Sequence, residues 1–166
     1  MAGPESAGRT AAPFRLDVEH GKIREFARAT QSRNPDYQRE DAPIPATFLT
    51  TQYFWSEGDA SYWRLFDFDW ERGLHAEQEY VFHGPPPTAG TRLTGRSTVR
   101  EVYEKQGRRG GAMTFVVVVT EFRDDNGRLV AEDRATLVET GRPPAAQEPE
   151  KPEKPEKPEE KDVHTS

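Results

Sequence analysis

The stretch Met113-Thr-Phe-Val-Val-Val-Val-Thr-Glu-Phe122, followed by Asp124-Asp-Asn-Gly127 and then by residues 129–140, decides the fold. Its first segment is apolar on both faces, which is typical of a strand in the middle of a sheet. Asn126-Gly127 favours a two-residue type I′ turn, because both residues tolerate the positive φ values that this turn needs. The stretch therefore predicts a long antiparallel hairpin whose first strand is central.

Three more strand patterns precede this hairpin. Residues 14–18 alternate apolar and polar side chains, as in a half-buried strand. Residues 74–83 also alternate, with Gln78 on one predicted face and His75 on the other. Residues 91–105 change phase between Leu93 and Val99, which predicts a β-bulge. These patterns extend the hairpin into an antiparallel sheet.

Helical patterns occupy the first third of the chain. Residues 21–30 place apolar side chains at helical spacing and predict a short amphipathic helix. Residues 46–55 have little polar face and predict a helix buried on most sides, although their threonines leave a strand open. Residues 58–73 are rich in aromatic side chains and have no clear helical or strand periodicity. They predict a loop that covers an apolar surface. An α+β domain follows, in which a long buried helix is wrapped by a curved antiparallel sheet.

This order of elements matches a hot-dog fold, and cystatin-like and NTF2-like cones fit the same pattern. The domain is expected to span residues 13–140, after a flexible N-terminus at residues 1–12. Residues 141–166 contain a repeated Glu-Lys-Pro triplet, and proline at every third position predicts a disordered, PPII-like tail.

Composition excludes several classes of function. The net charge of −6 argues against a nucleic-acid partner, since such proteins concentrate basic residues to neutralise phosphates. The absence of cysteine excludes disulfides and thiolate chemistry. The longest aliphatic run, residues 116–119, is far shorter than the roughly 20 residues of a membrane helix. We expect a cytoplasmic protein that needs no membrane and no cofactor.

Several short motifs, in this order and spacing, make the chain resemble the N-terminal domain of MaoC-like dehydratases, which includes accessory subunits of (3R)-hydroxyacyl-ACP dehydratases. The motifs are Gly21-Lys-Ile-Arg-Glu-Phe-Ala27, Asn34-Pro35, Pro45-Ala-Thr-Phe48, Leu74-His-Ala-Glu-Gln78, Ala89-Gly90, Val102-Tyr-Glu-Lys-Gln106, Thr114-Phe-Val-Val117 and Thr136-Leu-Val138. The resemblance implies a hot-dog fold and a hydro-lyase activity on acyl thioesters.

The resemblance also implies that the catalytic pair is missing. The active-site loop of the family reads Gly-Asp-x-Asn-Pro-x-His, in which the histidine moves the proton at C2 and the aspartate handles the hydroxyl or water at C3. With Asn34-Pro35 in register, Ser32 stands at the position of the aspartate and Tyr37 at that of the histidine. A serine hydroxyl and a phenol cannot replace that pair at neutral pH. We therefore expect no catalytic residue in this chain.

Such halves act in the family as the non-catalytic partner of a subunit with the intact loop, in a heterodimer or heterotetramer, and form the wall of the acyl tunnel. The resemblance implies a substrate-binding set that contacts acyl-CoA or acyl-ACP: Asn34, Tyr37, Thr47, Phe48, Tyr53 and Trp55. A stand-alone homodimer that binds an acyl thioester or lipid without chemistry is the alternative. A hot-dog thioesterase ranks last, because residues 46–56 contain no carboxylate.

Two further groups of residues have simpler explanations. His75 and His83 could form a metal site with Glu77 and Glu79, but alternating charges usually mark the polar face of a strand, and no metal is expected. Arg108 and Arg109 could meet a CoA phosphate, although arginines in a hairpin loop are usually only solvated.

Overall fold

The computed structural model describes residues 2–107 and 111–141, and one antiparallel sheet organises this part of the chain. Its strands are β1 Phe14–Asp17, β2 Gly73–Phe82, β3 Arg92–Gln106, β4 Ala112–Arg123 and β5 Leu129–Glu139. They lie in the order β1-β3-β4-β5-β2, so β4 is central, as predicted, and β2 forms an edge. The α+β hot-dog fold class is confirmed.

The hairpin between β4 and β5 differs from the predicted type I′ turn. Gly127 has a φ of 77°, whereas Asn126 is not among the described residues with positive φ. The Gly127 N–H donates to the Asp124 carbonyl at 2.9 Å, and the Asp124 N–H donates to the Arg128 carbonyl at 3.0 Å. This geometry is a wider loop that ends in a glycine bulge. The Asp124 carboxylate favours it by accepting the N–H groups of Asn126 and Arg128, both at 3.0 Å.

The bulge predicted in residues 91–105 is confirmed. The pairing of β3 with β4 shifts between Val99 and Glu101. An extra residue at this point returns apolar side chains to the inner face, the side of the sheet that carries Val116 and Leu137. The phase slip in the sequence was therefore a reliable signal.

The long buried helix predicted over residues 46–55 is wrong in length and in type. The segment forms a seven-residue 310 helix, Phe48–Phe54, which we call the central 310 helix. It buries Phe48, Leu49 and Gln52, whereas Phe54 is 72% exposed. Pro45 and the β-branched threonines disfavour a longer α-helix, because proline restricts the residue before it and branched side chains lose rotamer freedom.

The remaining helices are short. The amphipathic helix α1, His20–Ala29, is confirmed and buries Ile23 and Ala27. The predicted loop over residues 58–73 contains three 310 turns, Gly58–Ala60, Tyr62–Arg64 and Trp70–Arg72. In the described ranges, no helix combines the length and the apolar character needed to cross a membrane.

Two hydrophobic clusters cover the inner face of the sheet. The first lies under α1 and the central 310 helix and is built from Phe14, Leu16, Val18, Ile23, Ala42, Ile44, Phe48, Leu49, Leu93, Phe122, Val130 and Ala131. The second lies under the loop that precedes β2 and is built from Ala2, Ala11, Tyr62, Leu65, Phe66, Val99, Val116, Val118 and Leu137. The loop therefore covers an apolar surface, as predicted.

The N-terminal segment, predicted to be flexible over residues 1–12, packs against β3 from residue 2 onward. The Gly8 N–H donates to the Val99 carbonyl at 2.8 Å, and the Ala11 N–H donates to the Ser97 carbonyl at 2.9 Å. Because β1 pairs only with residues 92–95 of β3, the rest of that edge needs other hydrogen-bond partners. The N-terminal segment supplies them for residues 97–99. The predicted tail lies outside the described residues except for Gly141.

Candidate functional site

The first candidate region is the Asn-Pro loop, which we define as residues 30–37. Its side chains lie at the surface, apart from the half-buried Tyr37, which packs against the first cluster. Its polar groups bond locally: the Asn34 Oδ1 accepts the Asp36 N–H at 3.0 Å, and the Ser32 Oγ accepts the Asn34 N–H at 3.4 Å. Asn34 therefore caps the 310 helix Pro35–Gln38. The loop holds no charged acid–base pair at the family positions.

The backbone of this loop has one unusual feature at Gln31. Gln31 has a φ of 56° and is the single non-glycine residue with positive φ in the described ranges. Counting back from Asn34, the glycine of the family motif falls at this position. Gln31 directly follows Thr30, the C-cap of α1, and the next N–H, that of Ser32, donates to the Ala27 carbonyl at 2.8 Å, so the positive φ belongs to the end of this helix. The conformation costs a residue with a side chain about 1 kcal/mol.

The structure does not bring the six predicted substrate-binding residues together. Asn34 and Tyr37 lie in the Asn-Pro loop, and the exposed Thr47 precedes the central 310 helix. Phe48 and Trp55 line a groove of about 430 Å³ between α1 and this 310 helix. Tyr53 lies elsewhere, in a second cavity. Tyr37 and Phe48 thus meet at the first hydrophobic cluster, whereas Tyr53 lines a different cavity.

That second cavity, which we call the aromatic cleft, has a volume of about 430 Å³. Its lining comes from four segments and consists of Thr50, Tyr53, Tyr62, Trp63, Phe68, Trp70, Gly73, Leu74, His75, Gln78 and Leu137. The Trp63 and Trp70 rings meet edge to face with centroids 4.5 Å apart. The hydroxyls of Tyr53 and Tyr62 are hydrogen-bonded at 3.0 Å. The cleft thus combines apolar walls with a few polar groups, as ligand sites usually do.

A row of polar residues crosses the inner face of the sheet beside this cleft. Ser97, Thr120, Asp133 and Tyr80 are neighbours across β3, β4, β5 and β2, and the row separates the two hydrophobic clusters. The hydroxyls of Ser97 and Thr120 are 2.8 Å apart. Asp133 is 2% exposed, and its carboxylate accepts hydrogen bonds from the side-chain amides of Gln52 and Gln78.

Burial raises the pKa of the Asp133 carboxyl to about 6, and the two amide hydrogen bonds oppose this shift. Burial also raises the pKa of Tyr62, and it raises the pKa of Tyr80 to about 12. The phenols therefore stay neutral at physiological pH, whereas Asp133 changes charge slightly below it. A buried carboxyl of this kind beside a cleft is a feature typical of functional sites.

A bulge in β2 brings His75 to the same region. The pairing of β2 with β5 shifts between His75 and Glu77, so that His75 opposes Leu137 and Gln78 opposes Ala135. Opposed residues share a face, so both side chains point to the inner face. The predicted placement of His75 and Gln78 on opposite faces is therefore wrong. The His75 Nε2 lies 3.0 Å from the Gln78 Oε1 and links the cleft to Asp133.

One of these residues carried a signal in the sequence. Alternation along β5 puts Asp133 on the same face as Ala131, Ala135 and Leu137, so a charged residue interrupts an apolar row. The β2 bulge had no such signal, because His75, Glu77 and Glu79 formed a regular polar alternation.

His75 and His83, which suggested a metal site in the sequence, contact different residues. His75 bonds to Gln78, and the His83 Nε2 lies 3.4 Å from a Glu132 carboxylate oxygen. Within residues 2–107 and 111–141, no group of three or more His, Cys, Asp or Glu side chains is arranged to hold a metal ion. Arg108 and Arg109 lie outside the described residues.

The strand order, the buried 310 helix and the Asn-Pro loop together define the class of protein, a hot-dog domain of the dehydratase type. The family model for the FAS1-like dehydratase domain region matches residues 5–133, and the chain belongs to this family. A UPF0336 protein of Parafrankia sp. (strain EAN1pec) is 31% identical to it over 141 residues, which cover 80% of this chain and 88% of the relative.

Solved structures agree with this family. The HadBC (3R-hydroxyacyl-ACP dehydratase) complex from Mycobacterium tuberculosis contains a chain 27% identical to this one, with a TM-score of 0.65 over 80% of this chain and 96% of that one. A MaoC-like dehydratase is 20% identical with a TM-score of 0.68, over 82% of this chain and 43% of that chain, and shows the fold alone.

Proposed function

We propose that this chain is the non-catalytic, acyl-chain-binding subunit of a (3R)-3-hydroxyacyl-thioester dehydratase or enoyl hydratase. The observation that carries the proposal is the Asn-Pro loop, which keeps Asn34-Pro35 and the glycine-type backbone at Gln31 but has Ser32 and Tyr37 at the acid–base positions. Each general acid or base contributes roughly 10² to 10⁴-fold to such a reaction. Without the pair, the chain retains binding and loses most of the chemistry.

The partner in this proposal is a catalytic hot-dog subunit with the intact loop. Among the described strands, β2 pairs with β5 alone, so the other edge of this ten-residue strand is open to a partner. Trp70 is 61% exposed and Leu74 is 59% exposed close to this edge, as expected of a surface that another chain covers. The similar HadBC structure is itself a complex.

The substrate in this proposal is an acyl-CoA or acyl-ACP. The aromatic cleft, which contains Tyr53, and the groove lined by Phe48 and Trp55 are cavities with apolar walls that suit an acyl chain. Asn34 and Tyr37 lie in the Asn-Pro loop, at which the thioester end would meet the partner's catalytic pair. We place the protein in the cytoplasm, with no role in membrane or nucleic-acid binding.

The test compares the purified chain with its complex. The catalytic candidate is a hot-dog protein with an intact Gly-Asp-x-Asn-Pro-x-His loop from the same organism, and the assay follows hydration of crotonyl-CoA and of a longer enoyl-CoA. We expect background rates for the chain alone and turnover for the complex. A complex whose partner has Asn in place of the loop aspartate is the control and should be inactive. Normal turnover by the chain alone would refute the proposal.

The second candidate is a stand-alone homodimer that binds an acyl thioester or lipid without chemistry. The open edge of β2 favours it as well, because two copies can pair antiparallel along the same strand. Size-exclusion chromatography separates the two candidates. A dimer that does not exchange subunits with the catalytic candidate would favour the homodimer, and a mixed complex would favour the accessory subunit.

A further inference from the structure

Most of the negative charge of the chain lies in and next to the edge strand β2. Residues 57–83, which include the loop that precedes β2 and the strand itself, contain seven Asp or Glu and two Arg, a net charge of −5 of the chain's −6. Residues 100–106 of β3 form another part of the sheet edge, to which neither β1 nor the N-terminal segment pairs, and they contain two Arg or Lys and two Glu. The excess of negative charge is therefore a property of the β2 edge and not of every strand edge in this chain.

The charge on β2 itself comes from Glu77 and Glu79, which are exposed and lie on the outer face, opposite the two hydrophobic clusters. Their neighbours on β5 are Thr136 and Arg134. The Arg134 guanidinium donates to Glu79 at 3.0 Å and to Glu132 at 2.8 Å, so this group of three retains one negative charge. Glu77 has no ion pair within residues 2–107 and 111–141.

These glutamates oppose the pairing of two copies along β2. When two identical strands pair antiparallel about a two-fold axis, side chains of the outer face meet only side chains of the outer face. Registers centred on Glu77, Gln78 or Glu79 cover the middle of the strand, and each places a glutamate of one copy directly opposite a glutamate of the other. Like charges directly opposite each other destabilise a strand pair. The geometry of the edge thus permits a homodimer, and its charge opposes one.

Protection against aggregation is a simpler role for charges on an edge strand. The surroundings of β2 argue against this role alone, because Trp70 is 61% exposed and Leu74 is 59% exposed at the start of the strand. An edge that only repels other chains has no need of large exposed apolar side chains. A docking surface, in contrast, combines them with a charged rim.

We propose that the β2 edge selects a partner strand that carries Lys or Arg opposite Glu77 and Glu79, and that the same glutamates prevent this chain from pairing with itself. The proposal rests on the accessory-subunit function and adds to it the chemistry of the partner's edge. Opposite charges accelerate the encounter and fix the register of the two strands. Trp70 and Leu74 then supply the apolar contact.

Charge reversal tests this with the chain as its own partner. The double variant Glu77→Lys with Glu79→Lys has a basic β2 edge. In sedimentation velocity at about 50 mM NaCl, the wild-type chain alone and the variant alone should be monomers at a concentration at which their equimolar mixture forms dimers. The mixed pair should be at least about tenfold tighter than either homodimer, and about 300 mM NaCl should weaken it.

The matched control is Glu101→Lys with Glu104→Lys, which reverses two exposed glutamates on β3. Its mixture with the wild-type chain should remain monomeric. A second variant, Glu77→Gln with Glu79→Gln, removes the repulsion without reversing it and should self-associate more strongly than the wild-type chain. Circular dichroism checks that each variant is folded. A wild-type homodimer, or a mixture with the basic β2 variant that stays monomeric, would overturn the proposal.

The catalytic candidate of the previous subsection provides the second test. Its complex with the wild-type chain should be at least about tenfold weaker at about 300 mM than at about 50 mM NaCl, and the Glu77→Gln, Glu79→Gln variant should lose most of this salt dependence. A complex that hydrates enoyl-CoA but responds to neither change would overturn the charge selection and leave the accessory-subunit assignment intact. Turnover by the isolated chain would refute that assignment alone, because pairing between the wild-type chain and its basic β2 variant does not depend on it.

Discussion

The Asn-Pro loop and the aromatic cleft differ in how their polar side chains are hydrogen-bonded. In the loop, Ser32 and Asn34 lie at the surface and bond to the backbone within two residues. In the cleft, the buried Asp133 is held by Gln52 and Gln78, which are far from it in the sequence and belong to two other elements. The Ser32 and Asn34 side chains therefore bond only within the loop, whereas the Asp133 cluster links the central 310 helix to the sheet.

This difference shows that the buried polar groups lie beside the cleft and not in the loop. A buried carboxyl must be compensated by hydrogen bonds, and such clusters are costly to keep without a role. The Asn-Pro loop has only surface polar groups, apart from Tyr37. Specific recognition in this chain is therefore better sought in the cleft than in the loop.

The largest effect is expected at the central 310 helix, which lies between the two regions. Phe48 is 2% exposed and packs edge to face on Phe26 at 5.5 Å, so Phe48→Ala should reduce the free energy of unfolding by about 3–5 kcal/mol. Phe54, on the same helix, is 72% exposed, and Phe54→Ala should change the free energy of unfolding by less than about 0.5 kcal/mol. Urea denaturation measures both. Equal losses would mean that the helix is not anchored by one face.

The next effect concerns the buried carboxyl and depends on pH. The pKa of Asp133 is raised from 3.8 to about 6 in the folded chain, so the folded state binds more protons between these values and stability falls as the pH rises through them. Above pH 6 the ionised carboxylate costs up to about 3 kcal/mol. Asp133→Asn should therefore stabilise the chain at pH 7.5 and have little effect at pH 4.

Thermal denaturation at the two pH values measures this effect. The matched control is Asp36→Asn on the exposed loop, which should change stability by less than about 0.5 kcal/mol at either pH. If Asp133→Asn destabilised the chain equally at both values, the hydrogen bonds from Gln52 and Gln78 would outweigh the cost of burial.

Much of the fold could be predicted from the sequence, but the features that depend on packing between elements could not. Central β4, helix α1 and the β3 bulge followed from periodicity, because side-chain spacing reports directly on burial. The length of the central 310 helix did not, since residues 48–55 mix large apolar side chains with two threonines and fit several conformations. The β2 bulge was also hidden, because its effect on His75 depends on the register with β5.

The third prediction tests whether the Asn-Pro loop lacks only the catalytic Asp and His side chains and still has a backbone that can hold them. The double variant Ser32→Asp with Tyr37→His should gain roughly 100-fold in enoyl-CoA hydration, about 2.7 kcal/mol of activation free energy, if the backbone still suits the pair. The assay uses a complex whose partner has an inactivated loop. Each single variant should gain far less, because the two groups act together. A folded double variant with no gain would show that the loop has also lost its geometry.

The smallest effect tests that backbone directly. Gln31 adopts a φ of 56°, a conformation that costs a residue with a side chain about 1 kcal/mol and costs glycine almost nothing. Gln31→Gly should therefore raise the free energy of unfolding by about 1 kcal/mol in urea denaturation. The matched control is Gln38→Gly at the end of the 310 helix Pro35–Gln38, where φ is not positive. That change should destabilise the chain by about 0.5–1 kcal/mol, since glycine gains more freedom on unfolding. Opposite signs at these two glutamines would confirm the positive φ at Gln31, and equal losses would contradict it.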